Sequence, residues 1–239
     1  MLDLNCDLGE GEHPNRTRAL MRRISSANVA CGGHAGDMAS MARCVRLAGE
    51  FGVRLGAHPG PASRADFGRA AIQPSPEQLA GWVLEQAGSL AELAARQNIR
   101  LHHIKLHGAL YHASEAEPEL AQAYVETVRR QFPGVRIYSR SGGRVARLAR
   151  QAGIEAWEEL FADRAYLADG QLVPRDRAGA VLHDPAWVTA RLQRWLLSGE
   201  METVDGGSVR LSGQTLCVHG DTERATALIR AIRVLLAAH

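Results

Sequence analysis

Lysine is nearly absent from this chain. Of 28 basic residues, 27 are arginine, and the one lysine, Lys105, lies in Leu101-His102-His103-Ile104-Lys105-Leu106-His107-Gly108. Arginine pairs with carboxylates at least as well as lysine does. It cannot serve as a compact amine whose pKa responds to burial. One amine kept among three histidines points to a task for it, against the plainer reading of compositional bias with one survivor. Cysteine is scarce as well. Cys6, Cys31, Cys44 and Cys217 form no Cys-x-x-Cys pair, and each sits in an apolar stretch. They read as small buried residues in a reducing compartment. A nucleophilic Cys6 or Cys31 ranks lower, because neither has a base visibly beside it. Aromatics are only 5%, no basic stripe interleaves with them, and net charge is +2. That argues against a nucleic-acid partner. No charged region followed by an apolar one opens the chain, and no apolar run could span a bilayer, so a cytoplasmic protein without a membrane partner is expected. Walker A and Gly-x-Gly-x-x-Gly sequences are also missing.

What is present is ordinary globular composition, 46% hydrophobic and 23% charged over 239 residues. The expectation is a single domain, residues 1–239, since α/β barrels reach this size undivided. Strand-like runs fall at residues 2–7, 24–31, 53–58, 101–107, 135–140, 156–162 and 215–219. Helical patterns separate them, which predicts an α/β fold with a parallel sheet or barrel. Ser75-Pro76-Glu77-Gln78 supplies an N-cap, a first-turn proline and a capping-box glutamine. Asp184-Pro185 opens another helix, Met41, Val45 and Ala48 mark one after the second strand, and Ala225 to Leu235 mark the last. Residues 161–184 break the rhythm, with a turn at Asp169-Gly170, and Asp205-Gly206-Gly207 reads as a small hairpin.

Six of the seven strands end in glycine and ionisable residues: Asp7-Leu8-Gly9-Glu10, Gly32-Gly33-His34, Gly56-Ala57-His58-Pro59-Gly60, Lys105-Leu106-His107-Gly108, Asp163-Arg164, and His219-Gly220-Asp221. In a parallel barrel these ends share one rim, where such folds place their chemistry. Alternation puts His103, Lys105 and His107 on one face of their strand, and Asp3, Asn5 and Asp7 on one face of the first, both pointing into the barrel. An antiparallel sheet with one wet face would alternate identically, but helices separate these strands. His103 and His107 are too far apart along a strand to share one ion. A metal site would need Asp7, His34 and His58 to converge from different strands, and a required metal is not the leading expectation. Asp37 and Asp221 each precede a helix and could be N-caps; for Asp221, beside His219, a functional reading leads. Asp184 reads as a cap. Arg164, next to Asp163, could pair on the surface or grip a carboxylate bidentately. His13, His112, His183 and His239 read as solvated.

These clusters, in this order, resemble the LamB/YcsF family. The likeness runs through residues 4–11, 25–37, 56–60, Phe67-Gly68-Arg69, 103–111, 161–174 and 217–221, and covers essentially the whole chain. Its most specific segment is Ser25-Ser26-Ala27-Asn28-Val29-Ala30-Cys31-Gly32. Gly33 stands where the family usually has an aromatic, and Leu106 where it usually has proline, which predicts looser packing around His34 and Lys105. The resemblance implies a variant seven-stranded, TIM-like (β/α) barrel of the glycoside hydrolase/deacetylase type. It implies 5-oxoprolinase activity: ATP-dependent opening of 5-oxo-L-proline, a lactam, to L-glutamate, with Mg2+ accompanying ATP and subunits B and C as partners.

On that footing Lys105 is expected to stabilise charge on the lactam oxygen or the transferring phosphoryl group. Asp7 or His107 would be general base toward water, with His219 and Asp221 a second acid/base pair. Arg164, flanked by Asp163, would hold the substrate carboxylate. Asn28, His34, His58 and His103 would complete the pocket. Ser141-Gly142-Gly143 reads first as a plain turn, although its amides could cradle phosphate. Two other classes stay open: a metal-dependent deacetylase-like hydrolase, sensitive to chelators and indifferent to nucleotide, and a non-catalytic substrate-binding component.

Overall fold

The computed structural model describes residues 2–221 and 224–238, so the expectation for His239 lies outside the described residues. In chain order the elements are β1 (Asp3–Leu8), α1 (Pro14–Met21), β2 (Ser26–Ala30), α2 (Met38–Phe51), β3 (Arg54–His58), α3 (Pro76–Ala95), β4 (His103–Ile104), α4 (Gly108–Ala116), α5 (Pro118–Gln131), β5 (Arg136–Arg140), α6 (Arg144–Gln151), β6 (Ala156–Phe161), α7 (Pro185–Ser198), β7 (Glu200–Glu202), β8 (Ser208–Arg210), β9 (Thr215–Val218) and α8 (Ala225–Ala237). Seven strands close into a parallel barrel in the order β1-β2-β3-β4-β5-β6-β9, as the alternation of strand and helix predicts. β7 and β8 form the separate antiparallel hairpin around Asp205-Gly206-Gly207.

The caps explain where helices start. Ser75 accepts from the Gln78 amide while Gln78 Oε1 accepts from the Ser75 amide, the reciprocal box the sequence suggests. Asp184 accepts from the Ala186 amide and is a cap. Asp37 forms a capping box with Ser40 and opens α2 on the exposed surface. β4 is shorter than the run at 101–107, yet that run follows β3 throughout: the amides of His102, Lys105 and His107 donate to the carbonyls of Leu55, Ala57 and Pro59.

Outward-facing Leu4, Cys6, Leu8, Val29, Leu55, Ile104, Ile137, Leu160 and Leu216 pack beneath the helices. The inward face is polar, unlike the aliphatic layers usual in such barrels, so its groups must satisfy one another. At the bottom Ser26 Oγ and Thr215 Oγ1 both donate to Asp3, at 2.7 and 2.6 Å. Above them Asn28 Nδ2 donates to Asn5 Oδ1 and Asp7 Oδ1, both at 2.7 Å, and Asn28 Oδ1 accepts from His103 Nε2 at 2.7 Å. That uses both donors of the Asn28 amide and its carbonyl. The His103 ring stacks on Tyr138 and lies across Gly56, where an added Cβ would sit 2.1 Å from His103 Nε2. Gly56→Ala is therefore expected to displace His103, strand Asn28 and cost about 3 kcal/mol of stability by urea denaturation. A cost near zero would mean the interior can rearrange around His103.

Candidate active site at the C-terminal rim

A cavity of about 560 Å3 opens at the C-terminal ends of the strands, lined by Asp7, His58, Lys105, His107 and His219 among others. Lys105 forms its floor, buried, with Nζ 2.9 Å from Asp7 Oδ1, 3.0 Å from Glu159 Oε1 and 3.2 Å from Cys217 Sγ. Burial pushes its pKa down, but Asp7, Cys217 and Glu159 more than offset this and hold it well above the usual amine value. The amine is a held cation. Burial likewise pushes the Asp7 carboxyl up, and Lys105, then His58 and His219, overcome this and hold it well below the usual range. A carboxylate that reluctant to accept a proton is a poor general base.

His219, on the opposite wall, is oriented by Asp163. The carboxylate accepts from the His219 backbone amide at 3.0 Å and lies 2.9 Å from its Nδ1. Nδ1 therefore carries the proton, which leaves Nε2 as the acceptor. Burial pushes Asp163 up, and His219 more than offsets it, so the carboxyl stays below its ordinary value. Asp221 does not take this role. It is exposed and accepts from Arg69 at 2.8 Å, so the expected His219–Asp221 pairing gives way to His219–Asp163.

Other expected residues divide in the same way. Asn28 and His103 are fully buried below the cavity and brace Asp7 rather than lining it. Arg164 does line it, but its Nε and Nη2 donate to the carbonyls of Ala180 and Val173, bracing the wall at residues 164–182. Burial and neighbouring Arg175 push the Arg164 pKa down to about 10. His34 is buried and stacks on His107 at 3.5 Å, and burial, aided by His58, pushes its pKa down to about 2. Burial, with His58 and His34, also keeps His107 well below its ordinary value. Among the described residues, ligand atoms of Glu10, His34, His58 and His107 fall within 4.8 Å of one another, as do those of Asp7, Cys217 and His219. The expected trio Asp7, His34 and His58 is thus split, with Asp7 turned to Lys105. Cys217 is a weak second member, since burial pushes its thiol well up. Cys6 and Cys31 are buried, and burial pushes both thiols up.

The looser packing expected at Gly33 is not found. A Cβ there would lie 2.6 Å from Gln86 Oε1 and 2.6 Å from Gly60 O. Gln86, from α3, fills the space and bonds both the amide and the carbonyl of Gly60. Leu106 is buried in the apolar core. The turn at Ser141-Gly142-Gly143 is a turn and not a vacant cradle: the Gly142 amide donates to Glu158 and the Arg144 amide to Glu115. Several residues in or below the cavity had no role assigned from sequence. Glu159 pins Lys105 from below, Arg69 and half-buried Arg175 line the walls, and buried Tyr111 presents a hydroxyl without a partner among the described residues. His112, expected in solvent, is exposed on the cavity wall, whereas exposed His183 is not part of that lining and exposed His13 caps α1.

A closed seven-stranded parallel barrel with a carboxylate–amine–imidazole cavity on its rim places the molecule in the TIM-like α/β class. The chain belongs to the LamB/YcsF family, whose model matches residues 2–239. It is 40% identical over 237 residues to the A subunit of 5-oxoprolinase from Syntrophobacter fumaroxidans, covering 98% of this chain and 94% of the relative. It is 40% identical over 238 residues to the same subunit from Pyrococcus abyssi, covering 98% and 93%. The lactam utilization protein from Thermus thermophilus superposes with a TM-score of 0.90 at 37% identity, covering 99% of this chain and 96% of that one. No helix among the described residues is long and apolar enough to cross a membrane.

Proposed function

We propose that this chain acts as the A subunit of a 5-oxoprolinase, opening 5-oxo-L-proline to L-glutamate with ATP and Mg2+ in a cytoplasmic complex with subunits B and C. The observation that carries this reading is the end-to-end likeness to relatives of that name, and the cavity offers chemistry suited to it. A lactam is a stable amide, so hydrolysis needs an activated carbon and a driving force. Phosphorylation of the lactam oxygen supplies both. Water then attacks the activated carbon, the C–N bond breaks as nitrogen takes a proton, and a second water releases phosphate from the resulting acyl phosphate.

Within this scheme Lys105 stabilises negative charge at the lactam oxygen, and the Tyr111 hydroxyl, kept protonated by burial, is a second donor. His219 Nε2 is the general base in preference to Asp7, since Asp7 is held ionised by Lys105. Arg164 and Arg175 receive the substrate carboxylate or the phosphoryl group. The test is reconstitution: the chain, candidate B and C subunits, Mg2+, ATP and 5-oxo-L-proline are mixed, and glutamate and phosphate are assayed with each component omitted in turn. Equal amounts of both products from the full mixture alone are expected. Glutamate formation without this chain or without ATP would overturn the assignment.

A further inference from the structure

We propose that Glu10, His58 and His107 bind one divalent first-row transition-metal ion, with the remaining coordination position turned toward Asp7 and the cavity. Two backbone carbonyls carry the case. His58 Nδ1 lies 2.8 Å from the Lys105 carbonyl, and His107 Nε2 lies 2.9 Å from the Phe67 carbonyl. A carbonyl only accepts, so both of these nitrogens carry protons. With no second proton, each ring presents a bare lone pair at its other nitrogen. Those two lone pairs, on His58 Nε2 and His107 Nδ1, face each other at 3.0 Å. Two acceptors so placed repel unless a cation lies between them.

The surroundings add acceptors. Glu10 Oε1 is 3.5 Å from His107 Nδ1, and Asp7 Oδ2 is 3.5 Å from His58 Nε2. Lys105 is turned instead to Asp7 Oδ1, Glu159 and Cys217. Ligands on a tetrahedral ion with bonds of about 2.0–2.1 Å stand about 3.3 Å apart, and separations of 3.0 and 3.5 Å fit such edges. Two imidazoles and a carboxylate suit zinc, cobalt or iron.

His34 is not a ligand in this arrangement. Its ring lies parallel to His107 at 3.5 Å, and an ion in the plane of one ring cannot lie in the plane of the other. It bonds Glu10 Oε1 through Nε2 at 3.0 Å and orients that carboxylate. Metal-bound imidazoles commonly donate their second N–H to a carbonyl, the pattern seen here twice. Phe67 adopts a left-handed backbone, φ 57°, while holding its carbonyl on His107, and strain of that kind gathers at functional sites.

The inference goes beyond the ring-opening reading and does not rest on it, because binding is measured on the chain alone. The chain is stripped with a chelator, then titrated with Zn2+ and Co2+. Bound metal is counted by mass spectrometry, and the visible absorption of four-coordinate cobalt is recorded. One equivalent per chain is expected, with a rise in Tm that chelator reverses. His107→Ala and Glu10→Gln should each weaken binding about tenfold or more, while His112→Ala on the cavity wall should bind as the wild type does. Should the variants not fold, uptake and the Tm shift of the wild type decide. No uptake by the wild type would mean that a proton, not a metal, lies between the rings. Wild-type affinity in the two ligand variants would place the ion elsewhere. Either result overturns the proposal.

Discussion

Replacing Lys105 by arginine is expected to lower kcat for ring opening by about 10²–10³-fold in the reconstituted complex, the loss typical for one preorganised donor to a developing oxyanion. Nζ is enclosed by Asp7, Glu159 and Cys217, with the Phe161 ring centre 5.4 Å away. A guanidinium is larger, planar and aimed differently, so it cannot occupy that space with the same bonds. Activity within severalfold of wild type would refute the claim that the amine itself is required.

Lys105→Met separates stability from chemistry. It leaves Asp7 and Glu159 buried without their shared cation, at a cost of about 3–5 kcal/mol. The pH dependence should also invert. In the wild type the folded pKa of Asp7 is depressed, so its contribution is present above the unfolded value of about 3.9 and is lost as pH falls through the folded value. The folded pKa of Lys105 is raised, so its contribution is present below the unfolded value of about 10.4 and is lost as pH rises through the folded value. Between about pH 4 and pH 10 the pair therefore gives a flat profile. Without Lys105, burial raises the Asp7 pKa, and the protonated form is the stable one. Urea denaturation should find the variant more stable at about pH 5 than at about pH 8. A flat profile in the variant would show that Asp7 draws its stabilisation elsewhere.

The strand alternation that placed Asp3, Asn5, Asp7, His103 and Lys105 inside the barrel is a local property, and it was legible because each barrel strand has one face on the helices and one on the axis. The same alternation on β6 puts Glu159, the partner of Lys105, inward between Trp157 and Phe161. What could not be read was depth. Along one strand face, Asn28 and His103 look like His58, yet they lie below the cavity, where His103 donates to Asn28 and Asn28 donates upward to Asp7. Depth depends on barrel stagger, which joins strands distant in sequence. Partner choice failed for a related reason. Asp221 is two residues from His219, but side chains just past a strand end diverge, and the carboxylate that meets the imidazole is Asp163 on the neighbouring strand's exit. Gly33 misled because the group that fills its space, Gln86, comes from α3, more than fifty residues away.

Asp163→Asn is expected to lower ring-opening kcat by about 10²–10⁴-fold while leaving the fold intact, and the reason lies in which atoms an amide can present. In the wild type one carboxylate takes both the His219 backbone amide, at 3.0 Å, and Nδ1, at 2.9 Å. An asparagine must give its oxygen to the backbone amide, because that donor has no alternative. Its NH2 group then faces the ring. A donor there forces Nδ1 to become the acceptor, so the proton moves to Nε2, and the cavity is offered an N–H where it needs a lone pair. Removing general base catalysis costs about 10²–10⁴ in rate. The loss should fall on kcat more than on KM, since Asp163 touches His219 and not the substrate. A merely structural carboxylate would instead lower Tm and leave kcat in the folded fraction unchanged. Asp163→Glu, which keeps an acceptor for Nδ1, should recover part of the rate. Full activity in Asp163→Asn with an unaltered pH profile would remove His219 from the role of base and return the choice to His107.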